Sequence, residues 1–501
     1  MDILSNLLLG LSVALTPENL LYAVLGCVFG TLIGVLPGIG PSAGTALLIP
    51  LTARLPPTGA IIMLTAIFYG TQYGGTITSI LLNVPGEAAS AITCIDGHQM
   101  AKKGRAGAAL SVAAIGSFIG GTFATIALVC VAGPLTQVAL EFGPVEFFAL
   151  MVLGLSLLMG LAGDSMVKAL MMGAVGLLLA MIGMDPVRGA PRFTFGMMEL
   201  LDGLNFVPVI MGLFGLSEIL ENAEKKLSQS VGAEVGSLIP SRQEVRDSAA
   251  PVIRGSIVGT LLGLVPGMTG SMSSFLSYSM EKKLSKHPER FGHGAVEGVA
   301  GPETANNAHA NGALIPLFTL GIPASPTVAV LMGAFMMNGL IPGPFLFREQ
   351  PALVWGVIAS FFVGNVILVI LNLPLISIWV KILKIPYSIL FAVILAFMVI
   401  GAYGVENSIF DVAVMLISGV AAYLLKKFDF PMAPIVLTLI LGPVMERALR
   451  RSMEMSQGDI SILFSSPLAV VLLILSAVII VTSSLKFIPA RKWSGGGDAE
   501  V

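Results

Sequence analysis

Charged residues are scarce in this chain of 501 residues. Asp, Glu, Lys and Arg make up 11% of it, against about 25% in soluble domains. Hydrophobic residues make up 55%, and the mean hydropathy is +0.92. The region 106–140 holds no charge at all. It is longer than the about 20 apolar residues that a helix needs to cross a bilayer. The composition therefore excludes an ordinary soluble domain and predicts an all-α polytopic membrane protein.

Cysteine and histidine are equally rare. The three cysteines have no CxxC spacing and lie in apolar surroundings, so we expect packed thiols. None of the four histidines belongs to an HExxH motif, and the absence of any Gly-Lys dipeptide excludes a Walker A loop. The net charge of −2 comes without a basic region, so we expect no nucleic acid partner.

One short motif matches an enzyme. The sequence GPSAG at 40–44 fits the GxSxG nucleophile elbow of hydrolases. That elbow needs a strand before it, together with histidine and acid partners, whereas an apolar helical segment precedes Ser42. The second copy of this region has GSMS at 270–273, which does not keep the motif. The residues therefore argue against a hydrolase that uses Ser42, and we expect neither an enzyme nor a cofactor.

Many stretches have the length of a membrane-spanning helix. The N-terminal apolar segment, residues 1–16, lacks the positively charged region of a cleavable signal peptide, so we expect it to stay in the mature protein. The other candidate spans are 107–133, 146–163, 168–184, 204–221, 352–372, 386–404, 409–425, 430–446 and 463–486.

The chain also contains an internal duplication. The sequence GTLIGVLPG at 30–38 recurs as GTLLGLVPG at 259–267, and 74–85 matches 312–323 more loosely. We therefore expect two membrane repeats of similar length. The predicted order is repeat 1 (17–221), a cytoplasmic linker (222–250), repeat 2 (251–450), and a final transmembrane helix with a polar tail (451–501).

Basic residues predict the orientation of the repeats, because cytoplasmic loops are rich in Lys and Arg. Basic residues precede and follow 255–280, so both ends of this segment favour the same side. We interpret it as a re-entrant helical hairpin, and 26–51 as its first copy, with the tip at 37–44. Five crossings between the hairpins give inverted-topology repeats. Arg447, Arg450 and Arg451 fall outside in this scheme, against the usual bias.

Each hairpin tip combines Pro, Gly and Ser, which break a helix and expose backbone groups. Such backbone is tolerated at membrane depth only where it is buried in protein or lines a cavity. The second half-helix of each hairpin starts near Ser42 or Ser271 and would direct its amides into that cavity. Carbonyls near Leu36 and Val265 are candidate ligands for Na+. The alternative is a pair of packed helices kinked by proline.

A second polar motif follows each hairpin. We expect discontinuous helices at about 60–100 and about 294–340, interrupted by Gly-rich polar stretches that begin at 69–76 and 301–307 and continue to Glu87 and Pro323. Small residues at a helix crossing would explain the glycines, but not the amides. Glu303 and His309 are candidates for an ion or proton site, or else lie at the wet end of the crossing.

Five motifs together resemble one protein family, over about residues 17–450. They are GTLIGVLPGIGPSAG (30–44), YGTQYGGTITSILLNVPGE (69–87), DGHQMAKKGRAG (96–107), RFTFG (192–196) and GPETANNAHANGALIPLFTLGIP (301–323). They resemble the large membrane subunit, of TctA type, of tripartite tricarboxylate transporters.

The resemblance implies a multi-pass permease of the bacterial inner membrane with an elevator-type architecture. Its partners would be a small TctB-like membrane subunit and a periplasmic TctC-like solute-binding protein. Its substrate would be a carboxylate such as citrate, and its coupling ion Na+ or H+. A stand-alone carboxylate carrier that needs no binding protein is the alternative.

The residues themselves fit an anionic substrate. Few cations lie in the predicted interior, so helix N-termini, hydroxyls and amides would hold the carboxylate. The candidate substrate and ion ligands are Gly38, Gly40, Ser42, Gly44, Thr45, Gln72, Gly74, Gly75, Thr76, Asn83, Pro85, Gly267, Thr269, Gly270, Ser271, Ser273, Glu303, Thr304, Asn306, Asn307, Asn311 and Pro323.

Overall fold

A computed structural model describes residues 3–486 of the chain, except 37, 162–164, 186–187, 225–234, 384 and 386. Pro37 of the first predicted tip, the middle of the predicted linker and the tail after 486 therefore lie outside the described residues. Helices dominate the described part, where the strands form one antiparallel ribbon of β1 (Gly183–Met184) and β2 (Pro191–Arg192).

The described residues of the first half of the chain form ten α-helices. They are α1 (Ile3–Ala14), α2 (Pro17–Val35), α3 (Pro41–Thr52), α4 (Pro57–Leu82), α5 (Thr93–Lys102), α6 (Ala106–Leu140), α7 (Pro144–Leu161), α8 (Met166–Ala180), α9 (Phe206–Ile210) and α10 (Ser217–Glu224). Short 3-10 helices lie at Ala89–Ala91 and Met198–Leu200, and a π-helix at Met211–Leu216 joins α9 to α10.

Twelve α-helices lie in the described residues of the second half. They are α11 (Arg242–Gly263), α12 (Gly270–Leu284), α13 (Glu297–Gly312), α14 (Leu314–Leu320), α15 (Pro326–Met337), α16 (Pro344–Glu349), α17 (Pro351–Asn372), α18 (Ile376–Ile382), α19 (Tyr387–Glu406), α20 (Ile409–Lys426), α21 (Ala433–Met455) and α22 (Pro467–Lys486). Two 3-10 helices lie at Pro288–Arg290 and Ile460–Phe464.

Within the part of the chain that the structure describes, six helices are long and apolar enough to cross a membrane, by length and composition. The outer faces of α19 and α22 carry exposed apolar side chains such as Ile400 and Ile474, as expected for helices in contact with lipid. The chain is a multi-pass membrane protein. The six segments are Pro17–Val35, Ala106–Leu140, Phe206–Glu224, Pro351–Asn372, Ile389–Glu406 and Ile409–Lys426.

Glycines bring the first helix of each predicted hairpin into backbone contact with the next long helix. In each helix three glycines recur every fourth residue and therefore share one face. A Cβ at any of them would lie 2.2–2.7 Å from a backbone oxygen of the partner helix. These positions are equivalent in the two copies, so the duplication extends from sequence to packing. The glycines are Gly26, Gly30 and Gly34 of α2, facing α4, and Gly255, Gly259 and Gly263 of α11, facing α13.

The turns repeat in the same way. Gly38 and Gly267, at equivalent positions after α2 and α11, have φ of +84° and +90°. Asn83 and Gly321, equally equivalent, end α4 and α14 in the left-handed region, with φ of +58° and +71°. Glycine adopts this conformation without strain, and asparagine tolerates it better than most residues.

The helix breaks lie towards the end of each expected interruption rather than at its start. The polar stretches 69–76 and 301–311 are helical throughout, because α4 continues to Leu82 and α13 covers Glu297–Gly312. The chain leaves the helix only at Asn83 in the first copy. The polar side chains find partners on other helices, so the backbone has no need to unwind.

An ion pair and the hydrogen bonds of a buried aspartate connect helices and loops at one end of the molecule. The Nε of Arg254 donates a 2.8 Å hydrogen bond to Oε1 of Glu281, which joins α11 to the end of α12. Nearby, Oδ1 of Asp96 accepts hydrogen bonds of 2.7–2.9 Å from the backbone amides of Gly292, Gly294 and Ala295. The hydroxyl of Tyr278 donates to its other oxygen at 2.8 Å. Asp96, one of the few buried acids, therefore has a structural role.

Candidate functional site

A cavity of about 440 Å³ lies where the two predicted hairpin tips meet. Gly40 and Ser42 line it from the first tip, and Gly267 and Thr269 from the second. Its volume suits a small organic molecule. We call it the tip cavity. Its remaining lining residues are Phe214, Glu218, Pro326, Lys426, Phe430, Pro431, Met432, Ala433 and Leu437.

Two helix N-termini begin at the tip cavity. Gly40 precedes Pro41 at the start of α3, and Thr269 caps α12 by accepting a hydrogen bond from the amide of Met272. The first amides of a helix have no partner within it and carry partial positive charge, which favours anions. The tip cavity therefore offers two anion-binding helix ends to one ligand.

Side chains of α10 brace the first tip. The Nδ2 of Asn222 donates a 2.8 Å hydrogen bond to the carbonyl of Gly38, and the amide of Gly40 donates to Oε1 of Glu218 at 3.2 Å. On the other side, Oγ of Ser42 lies 2.8 Å from Oγ1 of Thr327, at the start of α15. The first tip thus contacts both halves of the chain.

A second group of polar residues is fully buried between α4 and α13. The Oγ1 of Thr76 donates a 2.6 Å hydrogen bond to Oε2 of Glu303, and Thr93 donates to the other oxygen. The Nδ2 of Asn306 donates to Oε1 of Glu87 at 2.6 Å. With its amide nitrogen directed at this carboxylate, Gln72 lies 2.6 Å from Oε2 of Glu87.

We call these residues the buried acid pair and its donors: Glu87 and Glu303, with Gln72, Thr76, Thr93 and Asn306. Both carboxylates are less than 10% exposed. Among the described residues, neither forms an ion pair with a lysine, arginine or histidine. Buried carboxylates held only by neutral donors are suited to bind a proton or a small cation.

The helices explain why these side chains meet. Gln72 and Thr76 are four residues apart on α4, and Glu303 and Asn306 are three apart on α13, so each couple shares a face. The left-handed turn at Asn83 ends α4 and returns the chain, which brings Glu87 back beside the helix it has just left. Gly75 leaves room for it, because a Cβ there would lie 2.9 Å from Cγ of Glu87.

The second tip connects the two groups. Gly270, the first residue of α12, packs against Asn306, whose Oδ1 would lie 2.7 Å from a Cβ at that position. One turn later, Oγ of Ser273 lies 2.9 Å from Nδ1 of His309. The Nε2 of His309 is buried and has no partner among the described residues. A movement at this tip therefore reaches the cavity and the acid pair together.

Several predicted ligands instead bind α6. The Nδ2 of Asn307 donates to Oγ of Ser117 at 2.7 Å, and the Nδ2 of Asn311 donates to the carbonyl of Gly121 at 2.9 Å. Thr304 packs against glycines of α6 and returns its hydroxyl to its own helix. These three residues fasten α13 to α6, and the structure does not bring them to the tip cavity.

Other predicted residues lie at turns or packing contacts. Gly44 packs against Ile33, and Gly74 against the backbone of Thr31. The hydroxyl of Thr45 is buried without a partner among the described residues. The carbonyls of Leu36 and Val265 each accept a turn hydrogen bond, of 3.3 and 3.2 Å. Asn83 and Pro85 are exposed, Ser271 is half-buried, and Pro323 is buried between α14 and α15.

Comparison with known proteins identifies the family. Residues 20–437 match the family described as "Tripartite tricarboxylate transporter TctA family". The chain belongs to the TctA family. This TctA protein is 50% identical to an Agrobacterium vitis protein described as "Uncharacterized 52.8 kDa protein in TAR-I ttuC' 3'region", over 98% of both chains. A second Agrobacterium vitis protein, "Uncharacterized protein in TAR-II ttuC' 3'region", is 50% identical over 47% of this chain and 97% of its own length. No solved structure matches.

Some site residues of this TctA protein were missing from the predicted ligands. Glu87, the last residue of the motif at 69–87, is absent from the predicted ligands, although it meets Asn306 directly. Thr327 and Glu218 gave no signal, because they follow apolar or ordinary amphipathic sequence far from the motifs. Their contacts with Ser42 and Gly40 span more than 170 residues of chain.

Proposed function

We propose that this chain is the large permease subunit of a binding-protein-dependent secondary transporter. It imports tricarboxylates or related carboxylates, such as citrate, by ion-coupled alternating access. The observation that carries this proposal is the tip cavity, where the N-termini of α3 and α12 converge from the two repeats. Membership of a family of tricarboxylate transporters supports the same substrate class.

The tip cavity suits a carboxylate that must be released again. Helix N-termini and the hydroxyls of Ser42 and Thr269 provide donors without a bidentate arginine clamp. Lys426 is the cationic residue among the described lining residues, and its Nζ lies 3.7 Å from Oε2 of Glu221. Binding by neutral donors and one cation that already has an acidic partner favours moderate affinity, as a carrier requires.

Inverted repeats with re-entrant hairpins belong to this proposal. The helices α3, with 12 residues, and α12, with 15, are shorter than the about 20 residues needed to cross the hydrocarbon. Glycines of α2 and α11 occupy equivalent packing positions, which supports two copies of one bundle. The opposite orientation of these copies rests on the distribution of basic loops.

The buried acid pair is the proposed site of ion coupling. Glu87 accepts from Asn306 of α13, Glu303 accepts from Thr76 of α4, and both acids lack a basic partner among the described residues. Loading one H+ or Na+ there would offset part of the negative charge of a carboxylate in the neighbouring cavity. The backbone carbonyls near Leu36 and Val265 are the alternative ligands for Na+.

The proposed assembly lies in the bacterial inner membrane with a small TctB-like membrane subunit and a periplasmic TctC-like solute-binding protein. The test is citrate uptake into proteoliposomes that contain all three proteins. Uptake should require an ion gradient and the binding protein, and Ser42→Ala should lower it about tenfold. Ser12→Ala, on an exposed face of α1, should leave it unchanged.

Three outcomes contradict parts of this proposal. Full uptake without the soluble protein identifies a stand-alone carrier. A complete assembly that transports none of a panel of mono-, di- and tricarboxylates overturns the substrate class. Labelling of single cysteines at both hairpin tips from the same side of the membrane overturns the inverted repeat.

A further inference from the structure

A second cavity, of about 650 Å³, lies at the opposite end of α21 from the tip cavity. Leu437 of this helix lines the tip cavity, and Val444 lines the second one, about 10 Å further along the axis. We call it the arginine vestibule. Its lining residues are Phe142, Gly143, Pro144, Phe147, Met151, Leu320, Gly321, Met332, Ile341, Pro342, Gly343, Pro344, Phe345, Val444, Arg447, Ala448, Arg451 and Met455.

Two arginines supply the charge of this vestibule. Arg447 and Arg451 are four residues apart on α21 and therefore share a face. Both are exposed, and neither forms a hydrogen bond or ion pair with any described residue. Among the lining residues that the structure describes, none is acidic. The vestibule is therefore a mostly apolar cavity with two arginines that have no ion-pair partner among the described residues.

The nearest acid on the same helix does not neutralise them. Glu446 is already bound by Arg192 at 2.8 Å and by Arg450 at 2.9 Å. Arg450 also reaches Asp185 at 3.0 Å. This network pairs two arginines with two carboxylates and leaves Arg447 and Arg451 out. Glu454 follows Arg451 by three residues on α21 but forms no ion pair with either arginine among the described residues.

A short segment of chain separates the vestibule from the tip cavity. Gly321 lines the vestibule, and Pro326 lines the tip cavity. Between them, the carbonyl of Ala324 accepts a 2.9 Å hydrogen bond from the amide of Gly267 at the second tip. The segment 321–325 is thus hydrogen-bonded to the second tip through Ala324, and it lines the vestibule at Gly321.

The sequence makes the position of these arginines unusual. In the topology derived from basic loops, the C-terminal end of α21 lies outside, where Lys and Arg are normally depleted. Arg450 is explained by its acidic partners. Arg447 and Arg451 have no such structural explanation among the described residues, which favours a role in contact with an external anion.

We propose that the arginine vestibule receives the anionic carboxylate from the side opposite the Lys426 wall of the tip cavity. Arg447 and Arg451 raise the local concentration of the anion before it passes the segment 321–325. Focused charge of this kind raises association rates by about 10-fold or more. This inference rests on the proposed function for the identity of the anion. An acidic phospholipid headgroup has the same charge and is the outcome that the test must separate.

The first experiment measures the vestibule without transport. A cysteine is placed at the exposed lining residue Ile341, with Cys94 and Cys130 replaced by alanine and the fully buried Cys27 retained. In neutral detergent, we compare the ratio of the reaction rates of an anionic and a cationic methanethiosulfonate reagent. This ratio should be about tenfold higher at Ile341→Cys than at Ile409→Cys on α20. Citrate should slow the reaction at Ile341→Cys.

The matched variants decide what causes that preference. Arg447→Gln combined with Arg451→Gln should abolish it, whereas Arg54→Gln, also exposed and without a described partner, should not. An anionic-to-cationic rate ratio at Ile341→Cys that does not exceed the ratio at Ile409→Cys overturns the proposal. Protection by phosphatidylglycerol but not by citrate identifies a lipid site and also overturns it.

The second experiment uses transport from each side of the membrane. The double glutamine variant should raise the KM for external citrate about fivefold to tenfold and leave kcat and the KM for internal citrate unchanged. An equal rise on both sides contradicts a one-sided vestibule. A wild-type assembly that transports no citrate overturns the proposed function, while the labelling ratio at Ile341→Cys still decides whether the vestibule collects anions.

Discussion

Asn306 of α13 donates a 2.6 Å hydrogen bond from Nδ2 to Oε1 of Glu87, which lies 219 residues earlier in the chain. Both residues are buried, and Asn306 also packs against the first residue of α12. One side chain thus contacts an acid of the first repeat and a hairpin tip of the second. Any change in the charge of Glu87 is therefore transmitted to that tip.

Removing this donor should weaken both stability and transport. Asn306→Ala leaves the buried carboxylate of Glu87 with fewer partners, at a cost of about 1–3 kcal/mol in the free energy of unfolding. Thermal unfolding in detergent and citrate uptake would measure the two effects. Asn338→Ala is the matched control, because its amide bonds only to its own helix. Unchanged uptake kinetics in Asn306→Ala would count against a role in the site.

The hydroxyl of Thr76 should matter more than others on the same helix. Thr76→Val keeps the shape but removes the 2.6 Å hydrogen bond to Glu303, and should destabilise the protein by about 1–2 kcal/mol. Thr71→Val, which is buried on α4 and bonded only to the carbonyl of Phe68, should cost less. Denaturation of both variants in one detergent compares them directly, and equal losses contradict the assigned contact.

Glu303→Gln should separate ion coupling from substrate exchange. A neutral amide cannot carry the proton or cation that the proposed cycle requires, although it keeps the shape of the site. Gradient-driven accumulation of citrate should therefore be lost, while exchange of internal for external citrate persists. Both are measurable in one batch of proteoliposomes. Accumulation at the wild-type level would remove Glu303 from the coupling mechanism.

The glycine contacts give a test of packing. Gly259→Ala places a Cβ 2.2 Å from the carbonyl oxygen of Ala305, so the helices must separate and the melting temperature should fall. Gly30→Ala, at the equivalent position of the first copy, should behave alike. Gly133→Ala on α6 meets no atom within 4 Å and should be neutral or slightly stabilising. Similar melting temperatures for all three would contradict the close contact.

We expect Asp96 to stabilise the fold rather than to act in the transport site. Its carboxylate accepts four hydrogen bonds, three of them from amides of the loop before α13. Asp96→Ala should cost about 3 kcal/mol or more, and Tyr278→Phe, which removes one of the four, about 1 kcal/mol. If Asp96→Ala kept its melting temperature but lost uptake, the residue would belong to the transport site instead.

The sequence was most informative where backbone geometry imposes residue type. Repeated glycines at 30–38 and 259–267 predicted equivalent turns, and Gly38 and Gly267 do adopt equivalent positive φ values. The same reasoning located the polar stretches but not the point within them where the helix ends. Gln72 and Thr76 stay helical because their partners are supplied from outside α4, by Glu87 on the returning chain and by Glu303 of α13.

The candidate site was only partly predictable for a similar reason. A run of amides on α13 does not reveal which helix each amide faces. Asn306 turns to Glu87, whereas Asn307 and Asn311 turn to α6. The wall formed by Phe430 to Ala433 carries no polar pattern at all. Such assignments depend on how helices rotate against one another, which is decided by packing across the whole bundle.

The backbone contacts that glycines allow between α2 and α4 and between α11 and α13, here called the glycine seams, limit how these helices can move. Two helices whose main chains touch directly have no layer of flexible side chains to absorb sliding, so α2 with α4, and α11 with α13, should each travel as a stiff unit. The tip cavity and the arginine vestibule instead lie along one face of α21, which is therefore not packed against another helix at these two places. Displacement during a transport cycle should therefore concentrate along the flank of α21, and the two seams should stay closed throughout.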